Sequence, residues 1–305
     1  MKNRIVCCIV TYNRLEKLKI AIDHYQKQSC FDFTLVIVDN HSTDGTLEFL
    51  QNWSKTSISF PIIIKELSEN LGGSYGFYEA LKTGMEETNG EWFVLADDDA
   101  YPEQEFIYRL KKHIDSLPSN YGCVCSKVCY PSGEIQTNHR RLLQPTFFKV
   151  NEKPIPDEAY LKTSFELNLF SFVGCCLNRK TINSVGYPIK DFFIWYDDTE
   201  YSLRVNKKYK IICYPDLLFI HDTAKPSLTS NNCHSWKEYY GIRNRLVAIK
   251  RNYPHRYYSY AYWRKKAAIF LKYNYKDKSF SDIARDALKD AKNNVLGKNK
   301  KYLPK

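Results

Sequence analysis

Residues 91–103, EWFVLADDDAYPE, constrain the fold more than any other stretch of the 305-residue chain. The apolar run at 92–96 reads as a strand buried on both faces, as in a parallel sheet. It ends in three consecutive carboxylates, Asp97, Asp98 and Asp99, with Pro102 shortly after. A desolvated carboxylate is costly unless a cation or several donors compensate it. Three at one strand end point to a divalent cation at the C-terminal edge of a sheet, where open α/β folds place their ligands. Continued strand geometry turns Asp97 and Asp99 to one side and leaves Asp98 on the other. A solvated acidic turn would look the same in isolation, so the neighbouring segments decide.

Those segments repeat one plan. Residues 4–12 (RIVCCIVTY) form a continuous β-branched run that stops at Asn13. Leu15, Leu18, Ile22 and Tyr25 then recur at helical spacing through Gln28, with Thr11 or Asn13 as the cap. A second strand at 33–38 ends in Asp39 and Asn40, and a short helix capped by Ser42 or Thr43 runs to about Trp53. A third strand at 60–64 leads to Asn70, which opens NLGGSYG, a glycine-rich turn into a helix. With 92–96 as the fourth strand, this is a doubly wound, mostly parallel α/β sheet with right-handed crossovers. Thr11, Asn13 and Arg14, then Asp39, then Asn70 with Gly72 and Gly73, then Asp97–Asp99 all fall on its ligand-binding edge. Arg14 suits phosphate, Asp39 suits nucleoside hydroxyls or base N–H groups, and the glycines let backbone approach a ligand.

A hydrophobic content of 44% is ample for a real core. The ten cysteines lie mostly in apolar runs, and C-x-C-x3-C at Cys123, Cys125 and Cys129 lacks a second half with zinc-like spacing, so they read as small buried hydrophobes. With MKNR running directly into a strand, the expectation is reduced thiols in a cytoplasmic protein. The net charge of +11 belongs to the C-terminal end: residues 237–305 hold 19 Lys+Arg against 5 Asp+Glu, or +14, and residues 1–236 hold 26 against 29, or −3. Mixed with tyrosine and tryptophan, that charge suits an anionic membrane surface or nucleic acid. No apolar run reaches the roughly 18 residues of a membrane span.

Four segments, VTYNR (10–14), VDNHSTDGT (38–46), NLGGSYG (70–76) and LADDDAYPE (95–103), resemble in order and spacing the family 2 inverting glycosyltransferases of GT-A fold, over roughly residues 4–225. The resemblance implies that the first three hold the nucleotide of a sugar donor, that Asp97 contacts ribose and that Asp99 binds Mn2+ or Mg2+. The NxGG loop and the DDD sequence look most like the galactofuranosyltransferase branch.

The second half of such a site is sought at 191–203, DFFIWYDDTEYSL. One or two acids before a helix usually serve only its dipole, but here Asp197, Asp198 and Glu200 follow Trp195 directly. A displacement at an anomeric carbon needs a general base, and a carboxylate desolvated beside tryptophan can be tuned for it. The stretch is similar to the family's W-x-D-D-x-[DE] segment. That match implies Asp198 as base, with Asp197 the alternative because Tyr196 is inserted. It also implies Asp197 and Glu200 as contacts to acceptor hydroxyls, beside Trp195 as an apolar platform. His221 ends a strand at 216–220 and corresponds to the family's third metal contact, with Asp97 and Asp99. In HSWKEYYGIRNRL (234–246), His234 or Arg243 would clamp donor diphosphate or acceptor. Residues 120–165 read as loop-rich, with a hairpin at Pro131-Ser132-Gly133, and with His139, Arg140 and Arg141 solvated or, as the second reading, touching donor phosphates; 170–177 reads as one strand.

The expected organisation is a GT-A catalytic domain at 1–235, made of a nucleotide-binding half (1–100) and an acceptor half (101–235), followed by a helical basic C-terminal extension at 236–305. The expected function is metal-dependent, inverting transfer from a nucleoside diphosphate sugar, UDP-galactofuranose first and a dTDP-rhamnose second, to a lipid-linked glycan; the alternative of another class is a nucleic-acid or membrane-binding module without catalysis, built on the basic tail. The enzyme is expected on the inner face of the cell membrane, with no nucleic acid partner; the sequence is silent on oligomeric state. The processive relatives' QxxRW motif is absent, which implies one or few sugars added. A sugar nucleotidyltransferase would need a Gly/Lys-rich phosphate loop after the first strand, where VTYNRLEK has none.

Overall fold

The computed structural model describes residues 3–146, 149–225, 235–273 and 278–303. These form twelve strands and nine helices: β1 (Ile5–Thr11), α1 (Leu15–Gln26), β2 (Phe33–Asp39), α2 (Thr46–Trp53), β3 (Ile62–Glu66), α3 (Gly73–Glu87), β4 (Trp92–Asp97), β5 (Ala100–Pro102), α4 (Phe106–Asp115), β6 (Tyr121–Cys129), β7 (Arg140–Pro145), β8 (Val150–Pro154), β9 (Phe165–Leu167), β10 (Leu169–Phe170), β11 (Cys175–Asn178), α5 (Arg179–Val185), α6 (Asp197–Asn206), β12 (Lys210–His221), α7 (Lys237–Asn252), α8 (Arg256–Tyr273) and α9 (Lys278–Asn293). The main sheet runs β3-β2-β1-β4-β11-β6-β12-β5, with β9 on β12; β10, β7 and β8 make a small second sheet.

β3, β2, β1 and β4 are parallel, as the strand–helix series predicts. Beyond β4 the sheet is mixed: β11 lies antiparallel between β4 and β6, and β6 is parallel to β12. Both faces are covered, which is why β1 is apolar at every position before its last, Thr11. Ile5, Cys7 and Ile9 pack toward Leu18 and Ile22 of α1, whereas Val6, Cys8 and Val10 pack toward Phe77, Ala80 and Leu81 of α3. The cysteines of these strands are buried and unbridged, as small hydrophobes are.

Several boundaries differ from the sequence reading for identifiable reasons. The third strand starts at Ile62, because Pro61 has no N–H to give a ladder and its carbonyl instead accepts from Leu35 N at 2.9 Å. Helix α1 ends at Gln26 and has Arg14 at its cap position, while Thr11 stays within β1. At α2 the capping acceptor is Asp44, whose Oδ1 takes the N–H and hydroxyl of Thr46 at 3.2 and 2.6 Å, in place of Ser42 or Thr43. The 170–177 strand is broken in two at Gly174, whose φ of 62° and contact with Ser126 leave no room for a Cβ. The stretch read as loop-rich holds β6 at the centre of the sheet. The turn at Pro131-Ser132-Gly133 is present, with Gly133 N donating to Tyr130 O at 2.8 Å.

His139, Arg140 and Arg141 are not solvated. Arg140 is fully buried, and its guanidinium donates to the carbonyls of Ser126, His139 and Val173 at 2.7–2.9 Å, so backbone acceptors in a strand gap replace water. His139 is held between Ser171 Oγ at 2.6 Å and Gln136 Oε1 at 3.0 Å; burial, then Arg140, push its pKa well below the usual imidazole value, so it stays neutral.

The C-terminal helices pack around the loop between α5 and α6. Phe193 clusters with Tyr239, Tyr240, Ile283, Ala287 and Tyr302, and Phe192 with Leu246, Val247 and Ala291. The loop that precedes the acids of α6 is thus enclosed by α7 and α9.

Candidate active site

Parallel pairing in register brings the polar ends of β1, β2 and β4 together: Thr11 stands opposite Asp39, and Val10 opposite Asp97. The acidic turn divides as strand geometry requires. Asp98 points back toward β1, where it accepts from Thr11 Oγ1 at 2.8 Å, Tyr12 N at 3.4 Å and Arg14 Nη1 at 3.2 Å. Burial, then Arg14 acting in the opposite sense, leave its pKa raised to about 6. Asp97 and Asp99 turn the other way and border a cavity of about 950 Å³. The Thr11 and Asp98 side chains, both expected at a nucleotide, brace one another here.

The other rim residues hold loops. Asn13 (φ 50°) takes Thr43 N on its Oδ1 at 2.7 Å and gives its own N–H to Ser42 Oγ at 2.9 Å. Asn70 Oδ1 accepts from Gly72 N at 2.9 Å and from Asn40 Nδ2 at 3.2 Å. Asp39 accepts from Ser42 N at 3.1 Å through Oδ1, while its Oδ2 is buried without a partner, an acceptor left for a ligand donor. Gly72 has φ 87°, and a Cβ there would lie 2.2 Å from the Phe193 carbonyl oxygen; beside Gly73 a Cβ would meet nothing within 4 Å. Of the proposed nucleotide residues, Arg14, Gly73 and Asp97 border the cavity, and Thr11, Asn13, Asp39, Asn70, Gly72 and Asp98 do not.

His221 reaches the acidic turn because β5 pairs antiparallel with the end of β12 and Asp222 N donates to Asp99 O at 2.8 Å. Its Nε2 lies 3.4 Å from Asp99 Oδ1, and Gln136 orients the ring by meeting Nδ1 at 2.9 Å and donating to the His221 carbonyl at 2.8 Å. Arg14 Nη1 lies 2.7 Å from Asp99 Oδ2. Burial would raise the Asp99 pKa, but His221 and the Arg14 guanidinium hold it below the ordinary carboxylate value. Asp97 is pushed well above that value by burial and then by Asp99 and Asp98. An ionised carboxylate and an oriented imidazole 3.4 Å apart, beside the Asp97 carboxyl, are donors of the kind a divalent cation takes. Among the described residues no group of three or more His, Cys, Asp or Glu is placed to hold a metal ion, so a cation here would depend on ligands from a substrate.

On the opposite wall the backbone is strained before α6: Phe193, Trp195 and Tyr196 all have φ between 65° and 70°. Asn244 Nδ2 holds this segment by donating to the carbonyls of Phe192, Ile194 and Trp195, each at 2.9 Å. Arg243, expected to clamp a ligand, is buried, and it donates to Phe192 O at 3.0 Å and Gly297 O at 2.7 Å; it shapes the loop instead. His234 lies outside the described residues.

The acids are inside the first turn of α6 rather than before it. Asp197 and Asp198 border the cavity with the half-exposed Trp195. Glu200, expected at acceptor hydroxyls, does not border the cavity: it is buried, paired with Arg204 at 2.9 Å and bonded to Asn252 Nδ2 at 2.7 Å, tying α6 to α7. Burial, then Asp198, raise the Asp197 pKa to about 7. Burial also raises Asp198, with Arg141 opposing. Asp198 Oδ1 accepts from Thr199 Oγ1 at 3.0 Å, and that hydroxyl accepts from Arg141 Nη2 at 2.7 Å. Arg141 in turn pairs with Glu152 of β8, which also accepts from the hydroxyls of Tyr196 and Tyr253.

Sequence reading missed this buried network and the third wall of the cavity, where Lys237 and Arg245 of α7 and Trp263 and Lys266 of α8 gather. Arg245 lies 3.4 Å from the Trp263 ring centroid. The only signal was the mixture of bases and aromatics, which suits a surface equally well.

A Rossmann-like sheet continued by mixed strands, with acids at its central edge and a second acidic pair across one cavity, is the GT-A architecture. The family profile described as "Glycosyl transferase family 2" matches residues 6–185, so the chain belongs to glycosyl transferase family 2. Among curated relatives it is similar to the abequosyltransferase RfbV of Salmonella typhimurium (29% identity; 57% of this chain and 52% of the relative) and to the dTDP-rhamnosyl transferase RfbF of Shigella flexneri (22%; 83% and 82%). The chain therefore spans about half the length of the first and most of the second. Similar solved structures include S. aureus TarS 1-349 with UDP-GlcNAc (18% identity, TM-score 0.58, 89% of this chain and 72% of that one) and the mannosyltransferase PcManGT from Pyrobaculum calidifontis with GDP-Man and Mn2+ (18%, 0.58, 95% and 75%), a likeness of fold.

Proposed function

We propose that this chain transfers one sugar, with inversion, from a nucleoside diphosphate sugar to a hydroxyl of a lipid-linked cell-surface glycan, using a divalent metal. The observation that carries the reading is that Asp97, Asp99 and His221 face Asp197 and Asp198 across a single cavity. Asp99 and His221, with Asp97 beside them, would hold Mn2+ or Mg2+; when bound, the ion would neutralise charge on the leaving diphosphate. Arg14 and Lys237 both border the cavity, and burial, then the charge of Arg14, lower the Lys237 pKa. Two cations facing one another gain from an anion between them, and a diphosphate supplies it.

Asp198 takes the proton of the acceptor hydroxyl. The acceptor oxygen bonds to the anomeric carbon as that carbon's bond to the diphosphate breaks, and the nucleoside diphosphate leaves with the electron pair. One displacement inverts the centre. Thr199, bonded to Oδ1, leaves Oδ2 of Asp198 as the atom to accept the proton. Trp195 offers an apolar face to the acceptor ring.

For the donor, dTDP-rhamnose is the first candidate, because the relative aligned over most of both chains bears that donor in its name. UDP-galactofuranose, favoured by the NLGG and DDD segments, is the second. Calorimetric titration of dTDP, UDP and their sugar conjugates, with Mn2+ and then with EDTA, tests both on wild type and Asp99→Ala. Metal-dependent binding of either nucleotide that the substitution abolishes supports the site and selects the donor class. Absence of nucleotide binding under every condition overturns the reading.

A further inference from the structure

Helix α8 has two faces with different partners. Inward, Ser259 is buried, and Trp263, Lys266 and Ala267 border the substrate cavity. Outward, Tyr257, Ala261, Arg264 and Ala268 form one exposed row at helical spacing, and Tyr258, Ala261, Lys265 and Ile269 form a second. Tyr257, Tyr258 and Ile269 are 75%, 60% and 43% exposed, unusual for side chains of that size on one helix face. The 18 residues of α8 contain five Lys and Arg and no Asp or Glu. Exposed Arg251 continues the positive charge at the junction with α7. Among the described residues no helix is long and apolar enough to cross a membrane, so a lipid contact made by this helix would lie in the plane of the surface.

We propose that the outer face of α8 docks on an anionic lipid bilayer and so sets the cavity mouth against the membrane. Charge complementarity selects an anionic partner. The apolar share of the same face selects lipid over nucleic acid: Ile269, Ala261 and Ala268 offer nothing to a phosphate chain, whereas beside tyrosine rings and flexible basic stems they match the boundary between headgroups and acyl chains. Because one helix forms both the docking face and a cavity wall, an acceptor carried on a lipid reaches the site without leaving the bilayer. This deepens the lipid-linked acceptor reading proposed above and rests on it.

The test is sedimentation of the full chain with vesicles of phosphatidylglycerol and phosphatidylcholine, and with phosphatidylcholine alone. It is repeated for the double variants Arg264→Glu/Lys265→Glu and Tyr257→Ser/Tyr258→Ser, with a single-stranded oligonucleotide as competing ligand. Each base near an anionic surface contributes roughly fivefold, so the charge reversal is expected to weaken binding to anionic vesicles by tenfold or more. The tyrosine variant weakens it without reversing any charge, which keeps the proposal testable if the charge reversal does not fold. Nucleotide titration, unchanged in both variants, reports separately on the catalytic reading. No binding to anionic vesicles, equal binding to both vesicle types, unaltered binding by both folded variants, or tighter binding to the oligonucleotide than to vesicles would overturn the proposal while leaving the transferase site untouched.

Discussion

Asn244 of α7 donates from Nδ2 to the carbonyl oxygen of Trp195 at 2.9 Å, fixing a residue whose φ of 65° is unfavourable for an aromatic side chain. The same amide also serves Phe192 and Ile194. Asn244→Ala leaves three carbonyls without that donor and lets Trp195 and the start of α6 relax. A loss of about 2–3 kcal/mol in stability is expected, with a fall of tenfold or more in kcat and little change in nucleotide affinity. Thermal denaturation, steady-state kinetics and nucleotide titration on one preparation separate these effects.

Gly72 packs against Phe193. Gly72→Ala combines a left-handed φ with a Cβ placed 2.2 Å from a carbonyl oxygen, so a destabilisation of about 2 kcal/mol or more is expected. Gly73→Ala enters open space and should fold normally while crowding the donor. Melting curves that fail to separate the two variants would contradict this account of the NLGG segment.

The acids of α6 predict an acidic limb in the rate. Burial disfavours the charged carboxylates, so Asp197 stays protonated until about pH 7 and Asp198 is raised in the same direction. A base works only when deprotonated, so kcat/KM should rise with pH toward neutrality. Arg141 favours the charged form of Asp198, and Arg141→Gln therefore moves the limb to higher pH. Rate profiles from pH 5 to 9 for the two proteins check the sign: a limb that stays in place or moves down contradicts the network.

At the acidic turn, His221→Ala removes the nitrogen facing Asp99 and leaves Gln136 Oε1 with His139 in place of two imidazoles. Nucleotide binding in Mn2+ is expected to weaken about tenfold or more, while binding in EDTA changes little, because the lost group belongs to the metal's surroundings. Equal losses in both conditions would assign His221 a purely structural part.

The strand ends were legible because burial on both faces makes parallel strands read as unbroken apolar runs, so a polar residue closing such a run marks the ligand edge. Arg14, Asp97 and Asp99 meet the cavity for that reason. Arg140 misled because its partners are backbone carbonyls of β6 and the Val173 loop, which leave no trace in residue types. Arg243 and Glu200 misled differently: each stands beside cavity residues in sequence, but the helical turn carries its side chain to the packed side, a matter of angle that a motif does not record. The strand β6 escaped notice because cysteines alternate with Val124, Ser126 and Lys127 in place of a β-branched run.

The Gly72–Phe193 contact and the bond from Lys298 Nζ to Asn70 O at 2.9 Å join segments more than a hundred residues apart. The chain is consequently a poor candidate for shuffling as two modules cut near residue 100. A chimera that borrows a relative's nucleotide half would have to bring along the segment before α6 and the matching C-terminal residues. Donor preference would accordingly be inherited through three separated patches of sequence, and engineering it would mean exchanging all three at once.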